Sequence, residues 1–185
     1  MMDRAISERE VLAGERISLR LVGLADCTER YVAWLADPEV NRFLETRWSE
    51  QTLESIRDFV GGMLASADSY LFAIVENASA LHIGNIKIGP IHSRHSYADV
   101  SYFIGERNAW GKGYGTDAVR GVTKFGFERL GLNRCQAGVY ASNVGSIRVL
   151  EKAGYALEGS LKRQLRSDSG FQDHLYFGAL RDSWT

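Results

Sequence analysis

Three glycines alternate in the segment Trp110-Gly111-Lys112-Gly113-Tyr114-Gly115-Thr116. Glycine admits positive φ and lets a bulky ligand approach the backbone closely. At the mouth of a helix, such a turn presents N–H groups at the positive end of the helix dipole, an arrangement that binds phosphate oxygens. Lys112 and Arg107 add positive charge nearby, and Thr116 can cap the helix or reach an oxygen. No Gly-Lys-Ser/Thr follows, so the spacing is not that of a Walker loop. Nor is it Gly-x-Gly-x-x-Gly after the first strand of the chain, so a dinucleotide fold is not expected.

Strands and helices must hold this turn in place. Residues 16–22 alternate polar and apolar, as a strand with one buried face does. Asp26 offers an N-cap with Glu29 at capping-box spacing; Tyr31, Trp34 and Leu35 follow at helical spacing, and Asp37-Pro38 ends that helix. Ser49 can cap a second helix, in which Leu53, Ile56, Val60 and Leu64 form an amphipathic stripe. The period then changes to that of strands at 70–75, 81–91 and 97–104, with a polar turn at His92-Ser93-Arg94-His95-Ser96. After the glycine turn come a helix from about Thr116 to Leu130, a strand at 134–140, a helix at 143–153, and strands at 155–165 and 171–180. Gly121 and Gly126 lie inside the first of these helices, where glycine costs about 1 kcal/mol against alanine; close packing on the sheet would account for them. The expectation is a mixed α+β fold: about seven mostly antiparallel strands flanked by about four helices, with the unit at 97–140 free to be parallel because it has a crossover helix.

The chain has 185 residues, enough for one domain with a sizeable core. Hydrophobic residues make up 45% and charged residues 24%, with a net charge of -1. This is a soluble composition with no global basic field for nucleic acid, so a phosphate ligand has to be met by a local site. No apolar run approaches the roughly 20 residues that span a bilayer. The start, Met1-Met2-Asp3-Arg4 and then Ser7-Glu8-Arg9-Glu10, lacks the apolar stretch of a signal peptide. Cys27 and Cys135 read as buried thiols in a reducing cytosol. No CxxC or HExxH pattern suggests a metal, and no role is assigned to His82, His92, His95 or His174.

Tyr102-Phe103-Ile104-Gly105 followed by Trp110-Gly111-Lys112-Gly113-Tyr114-Gly115-Thr116 resembles the acetyl-CoA signature of the GNAT superfamily of N-acetyltransferases, Gln/Arg-x-x-Gly-x-Gly/Ala. Trp110 stands at the Gln/Arg position, as in the RimJ/RimL-like branch. A second block, Asn143-Val144-Gly145-Ser146 and then Val149-Leu150-Glu151-Lys152-Ala153-Gly154-Tyr155, resembles the family's Asn-x-x-Ser…Glu-Lys-x-Gly-Phe/Tyr segment. The resemblance covers roughly residues 15–181 of a single domain spanning 1–185.

The resemblance implies a cytoplasmic acetyltransferase with acetyl-CoA as co-substrate and no metal, acting on a protein N-terminus or a small amine, as monomer or homodimer. It implies that strands 97–104 and 134–140 splay, with the pantetheine arm of the coenzyme between them. That arm would pair with backbone near Phe103 and Ile104, with Asn143 at its amides and Lys152 and Arg148 facing either the ribose phosphate or solvent. Transfer of an acetyl group to an amine needs a base and often an acid. Asp99, where many relatives carry Glu, is the candidate base, and a structural carboxylate paired with an arginine is its other reading. Leu150 occupies the position of the family's usual tyrosine acid, so Ser146 is the candidate acid, with Tyr102 and Tyr140 as alternatives. A backbone N–H near Ile104 or Gly105 would meet the oxyanion. The acceptor pocket is expected around Arg42, Glu45, Arg47 and Trp48. A non-catalytic acyl-CoA-binding module on the same fold is the remaining alternative.

Overall fold

The computed structural model describes residues 6–7, 10–168 and 170–184, and every count below is of those residues. Met1, Met2, Asp3, Arg4, Glu8 and Arg9, on which the reading of the N-terminus leaned, lie outside them. Eight strands form one sheet: β1 (Val11–Ala13), β2 (Ile17–Leu21), β3 (Tyr70–Glu76), β4 (His82–His92), β5 (Tyr97–Ile104), β6 (Arg134–Tyr140), β7 (Ala156–Ser167) and β8 (Gly170–Leu180). Their order across the sheet is β1-β2-β3-β4-β5-β6-β8-β7. Every neighbouring pair is antiparallel except β5 and β6. The five helices are α1 (Glu29–Ala36), α2 (Pro38–Asn41), α3 (Leu53–Ala65), α4 (Tyr114–Glu128) and α5 (Val144–Lys152).

Strand β3 shows how the core divides. Phe72 and Ile74 join a cluster with Val119, Val122 and Phe125 of α4 and Leu150 of α5. Leu71 and Ala73 point the other way, onto Tyr31, Trp34 and Leu35 of α1 and Ile56 and Val60 of α3. A strand buried on both faces reads as a continuous apolar run, as residues 70–75 do. Gly126 is tucked against the sheet, where an added Cβ would lie 2.9 Å from Ile88 and 3.1 Å from the Cys135 sulfur. Both cysteines are buried and unpaired.

The element bounds correct the sequence reading in several places. There is one strand and one helix more than expected: β1 has three residues, and α2 has four. Asp37-Pro38 ends α1 and also starts α2, with Pro38 in its first turn and the Asp37 carboxylate accepting from the Glu39 N–H at 2.9 Å. The N-cap of α1 is Thr28, because Asp26 is occupied by the Arg20 guanidinium and the Gly23 N–H. The N-cap of α3 is Thr52 in a capping box with Ser55, not Ser49. Thr116 does not cap α4: the helix begins at Tyr114 and its N-cap is Gly113, at φ 86°.

Candidate functional site

Strands β5 and β6 pair over three rungs, Tyr97 with Arg134, Ala98 with Cys135 and Asp99 with Gln136. Beyond them the strands part, so residues 100–104 and 137–140 border an open gap. The β4–β5 ladder fixes which backbone groups face it. The Gly105 N–H donates to the Ile83 carbonyl at 2.8 Å, and Ile104 lies opposite Gly84. Antiparallel pairs alternate between hydrogen-bonded and non-bonded, so the N–H and C=O of Ile104 turn away from β4 and into the gap. Those of Phe103 turn toward Asn85 in β4. Two sequence expectations change accordingly: Phe103 has no backbone group for an arm in the gap, and the Gly105 N–H is committed to Ile83 and is not an oxyanion donor. The Phe103 ring packs instead on Tyr31 and Trp34, with centroids at 6.0 and 6.3 Å.

The glycine turn lies at the mouth of this gap. Gly111 and Gly113 both have positive φ, 75° and 86°. No side chain caps α4, so the N–H groups of Tyr114, Gly115 and Thr116 have no intrahelical acceptor. They lie at the uncapped end of the helix, just after the exposed Lys112 in sequence. Gly115 itself is buried against Val149 of α5. Trp110 bridges turn and strand: its Nε1–H donates to the Ile104 carbonyl at 2.8 Å, which leaves the Ile104 N–H as that residue's free group. Tyr114 reaches the other way and donates to Glu76, whose carboxyl is held below its usual range by the hydroxyls of Ser79 and Tyr114.

Arg16 is a turn residue that sequence reasoning missed. Its Nε and Nη2 hold both oxygens of Asp117 at 2.8 and 2.9 Å, while Nη1 would lie 3.0 Å from a Cβ on Gly113. No local pattern signals it, because the contact joins the edge of β2 to a helix 101 residues later. Arg120 was missed likewise. It donates from α4 to the Lys152 carbonyl at 2.7 Å and so stands beside Lys152 at the end of α5.

On the α4/α5 side of the gap, Asn143 caps α5 by accepting from the Ser146 N–H at 3.1 Å, which leaves its Nδ2 group for a ligand. The Tyr102 hydroxyl approaches the Ser146 carbonyl oxygen at 3.4 Å, and burial pushes the phenol up to about 12. Leu150 is fully buried in the core, so its position contributes no proton donor.

On the α1/α3 side, Gln136 links two charges. It accepts from Arg134 Nε at 3.1 Å and donates to Asp99 at 3.0 Å. Further up the gap, Tyr140 donates to Glu45 at 2.7 Å, and burial followed by this carboxylate pushes its phenol to about 12. Arg47 lies over the Tyr140 ring at 5.3 Å and donates to the Arg166 carbonyl of β7 at 2.6 Å. Of the expected acceptor residues, the structure therefore brings Glu45 and Arg47 to the gap. Arg42 stacks on Phe43 at 5.3 Å, and Trp48 is exposed beneath Arg47. Among the described residues, no three His, Cys, Asp or Glu side chains gather as a metal site, and no helix is long and apolar enough to cross a membrane.

Comparison with known proteins agrees with this geometry. Residues 16–156 match the family described as Acetyltransferase (GNAT) domain. The chain is 28% identical over 176 residues to the uncharacterized N-acetyltransferase p20 of Bacillus licheniformis, covering 93% of this chain and 97% of that protein. It superposes on Mycobacterium smegmatis RimJ in complex with CoA-disulfide at a TM-score of 0.78 and 23% identity, over 94% of this chain and 85% of that one. It also superposes on spermidine N-acetyltransferase from Vibrio cholerae in complex with CoA and spermine at 0.80 and 16%, over 90% and 96%. With the open gap, the uncapped helix and the family match in agreement, the chain belongs to the GNAT family of N-acetyltransferases.

Proposed function

We propose that this enzyme transfers an acetyl group from acetyl-CoA directly to a primary amine while both are bound. One observation carries the reading: the Ile104 N–H faces the β5–β6 gap within one short loop of the uncapped start of α4. The first turn of α4, with Lys112 and Arg16, suits a pyrophosphate. The gap suits an extended amide-bearing arm, with Asn143 Nδ2 on one side and the Ile104 N–H on the other. Arg120 and Lys152 supply positive charge for a ribose phosphate. The Ile104 N–H also stands where a carbonyl oxygen would gain charge as the amine attacks. Asp99 and Ser146, the residues proposed for proton handling, border opposite faces of the sheet, so the amine would enter from the α1/α3 side and the sulfur would lie toward α5.

Relatives in fold act on different amines, a ribosomal-protein type and spermidine among them by their names. For this chain, Glu45 and the Gln136-held Asp99 favour an acceptor carrying positive charge near its amine, either a protein N-terminus in the RimJ/RimL manner or a small polyamine-like molecule. Two buried, unpaired cysteines fit a reducing compartment such as the cytosol. The test is release of free CoA thiol from acetyl-CoA across peptides, polyamines and amino sugars. Steady thiol release that requires an amine is expected. Tight acetyl-CoA binding without turnover on any amine would mean a binding module instead.

Arg16 gives a separate check on the turn. Arg16→Ala removes the guanidinium beside Gly113, and a charged hydrogen bond of that kind is worth enough to weaken acetyl-CoA roughly tenfold. Calorimetric titration well below the melting transition should show this change, and some thermal stability should be lost with it, because Asp117, whose side chain is 11% exposed, loses both hydrogen bonds from Arg16. An unchanged Kd would remove Arg16 from the site.

A further inference from the structure

A chain of polar side chains crosses the sheet at the closed end of the gap. It starts on the edge strand β7, where Glu158 sits in a bulge between the rungs Leu157–Phe177 and Gly159–Tyr176. Its carboxylate lies over β8, since a Cβ added to Gly178 would come within 2.4 Å of Oε1. There it meets Arg134 of β6: Nη1 donates to Oε1 at 2.8 Å, and Nη2 donates to Oε2. Glu158, and after it Asp99, favours the charged form of this guanidinium. Arg134 Nε donates to Gln136 Oε1 at 3.1 Å, and Gln136 Nε2 donates to Asp99 Oδ1 at 3.0 Å. Asp99 and Gln136 form the last rung before β5 and β6 part. The direction of the chain is fixed at its middle. A guanidinium has only donors, so the amide must turn its oxygen to Arg134 and its NH2 to Asp99. Oδ1 of Asp99 is thereby committed as an acceptor, while Oδ2 has no hydrogen-bond partner among the described residues.

We infer that Glu158, Arg134 and Gln136 are positioning residues for Asp99, reserving its Oδ2 as the oxygen that takes the proton from the acceptor amine. The inference rests on the acetyl-transfer reading with Asp99 as base. As the amine nitrogen forms its bond to the acetyl carbon, one N–H proton passes through water in the gap to Oδ2. The C–S electron pair leaves with sulfur as thiolate, which gains a proton from the Ser146 side or from water. Asp99 then returns its proton to solvent. A free carboxylate turns about its last bond and offers either oxygen. This one is held through Oδ1, so less freedom is lost when the acceptor arrives. Glu158 belongs to a strand three spacings from β5, about 14 Å away, and acts on the reaction only through the chain.

The test is a double-mutant cycle in amine-dependent thiol release. Gln136→Met keeps the length of the side chain and removes the donor to Asp99. It should lower kcat about tenfold or more and leave the Kd of acetyl-CoA unchanged. In an Asp99→Asn background, whose own kcat should be about 100-fold lower, the same substitution should cost nothing further. Glu158→Gln, at a partly exposed position, should lower kcat about two- to fivefold, again only where Asp99 is present. Independently of turnover, nitrogen NMR of the free enzyme should show an Arg134 Nε–H that exchanges slowly with water, and each of the two substitutions should speed that exchange. Equal losses in both backgrounds would make the chain a scaffold and overturn the inference, as would near-normal kcat in Gln136→Met or in Asp99→Asn. An Arg134 Nε–H as labile in the wild type as in the variants would also overturn it. Absence of amine-dependent thiol release by the wild type is a different result, since it overturns the acetyl-transfer reading itself.

Discussion

Gly113→Glu should abolish measurable acetyl-CoA binding, weakening it by more than about 100-fold, or at least 2.7 kcal/mol. Three effects act in the same direction. Gly113 holds φ at 86° as the N-cap of α4, a left-handed conformation that costs a side-chain-bearing residue roughly 1–2 kcal/mol. The added atoms would crowd the Arg16 guanidinium, with its Nη1 3.0 Å from the new Cβ. A carboxylate would also compete for these N–H groups and repel the pyrophosphate they are proposed to receive. Gly113→Ala separates the terms, because it keeps the conformational cost and lacks the charge; it should weaken binding by much less. Calorimetric titration of both variants measures the difference. Wild-type affinity in Gly113→Glu would place the pyrophosphate elsewhere.

The largest effect on stability is expected for Gly84→Val. Gly84 of β4 lies opposite Ile104, and a Cβ there would fall 2.2 Å from the Phe103 carbonyl oxygen and 2.8 Å from the Ile104 Cα. Both obstacles are backbone, so no rotamer change relieves them and β4 must move away from β5. Overpacking of this kind costs about 1–3 kcal/mol, with the upper end expected here. At about 2–4 °C per kcal/mol for a chain of this size, 3 kcal/mol lowers the Tm by roughly 6–12 °C. Acetyl-CoA should also bind more weakly, because the displaced strand is the one that aims the Ile104 N–H. Gly159→Val in β7 is the control: nothing lies within 4 Å of its added Cβ, so it should melt close to wild type. Equal melting of the two variants would contradict the close approach of β4 and β5.

Much of the fold was legible because it is periodic. Strands β3 to β6 fall within about a residue of their sequence bounds, since alternation and apolar runs mark them directly. The parting of β5 and β6 followed from the family resemblance, and the register shows it. Starts of helices were less legible. Thr116 and Asp26 have the residue types of caps, yet Gly113 and Thr28 hold those positions. Cap preference is worth only about 1 kcal/mol, and ligation of Asp26 by Arg20 outweighs it. The orientation of Phe103 was invisible because it depends on which partner each rung bonds. Arg16 and Arg120 were missed for a common reason. Each acquires its meaning from a residue far along the chain, and nothing beside it in sequence records that contact.

The hydrogen bond from the Trp110 indole to the Ile104 carbonyl fastens the glycine turn to the end of β5. A turn with glycines at 111, 113 and 115 would otherwise be among the looser parts of the backbone, and loose segments must be ordered at the expense of affinity when a ligand arrives. Here the brace is set in advance and uses only the carbonyl, so the N–H beside it stays available. Cradle and cleft are therefore tied together at this point, and a strain imposed on the turn is passed to the amide proposed to meet the reacting carbonyl.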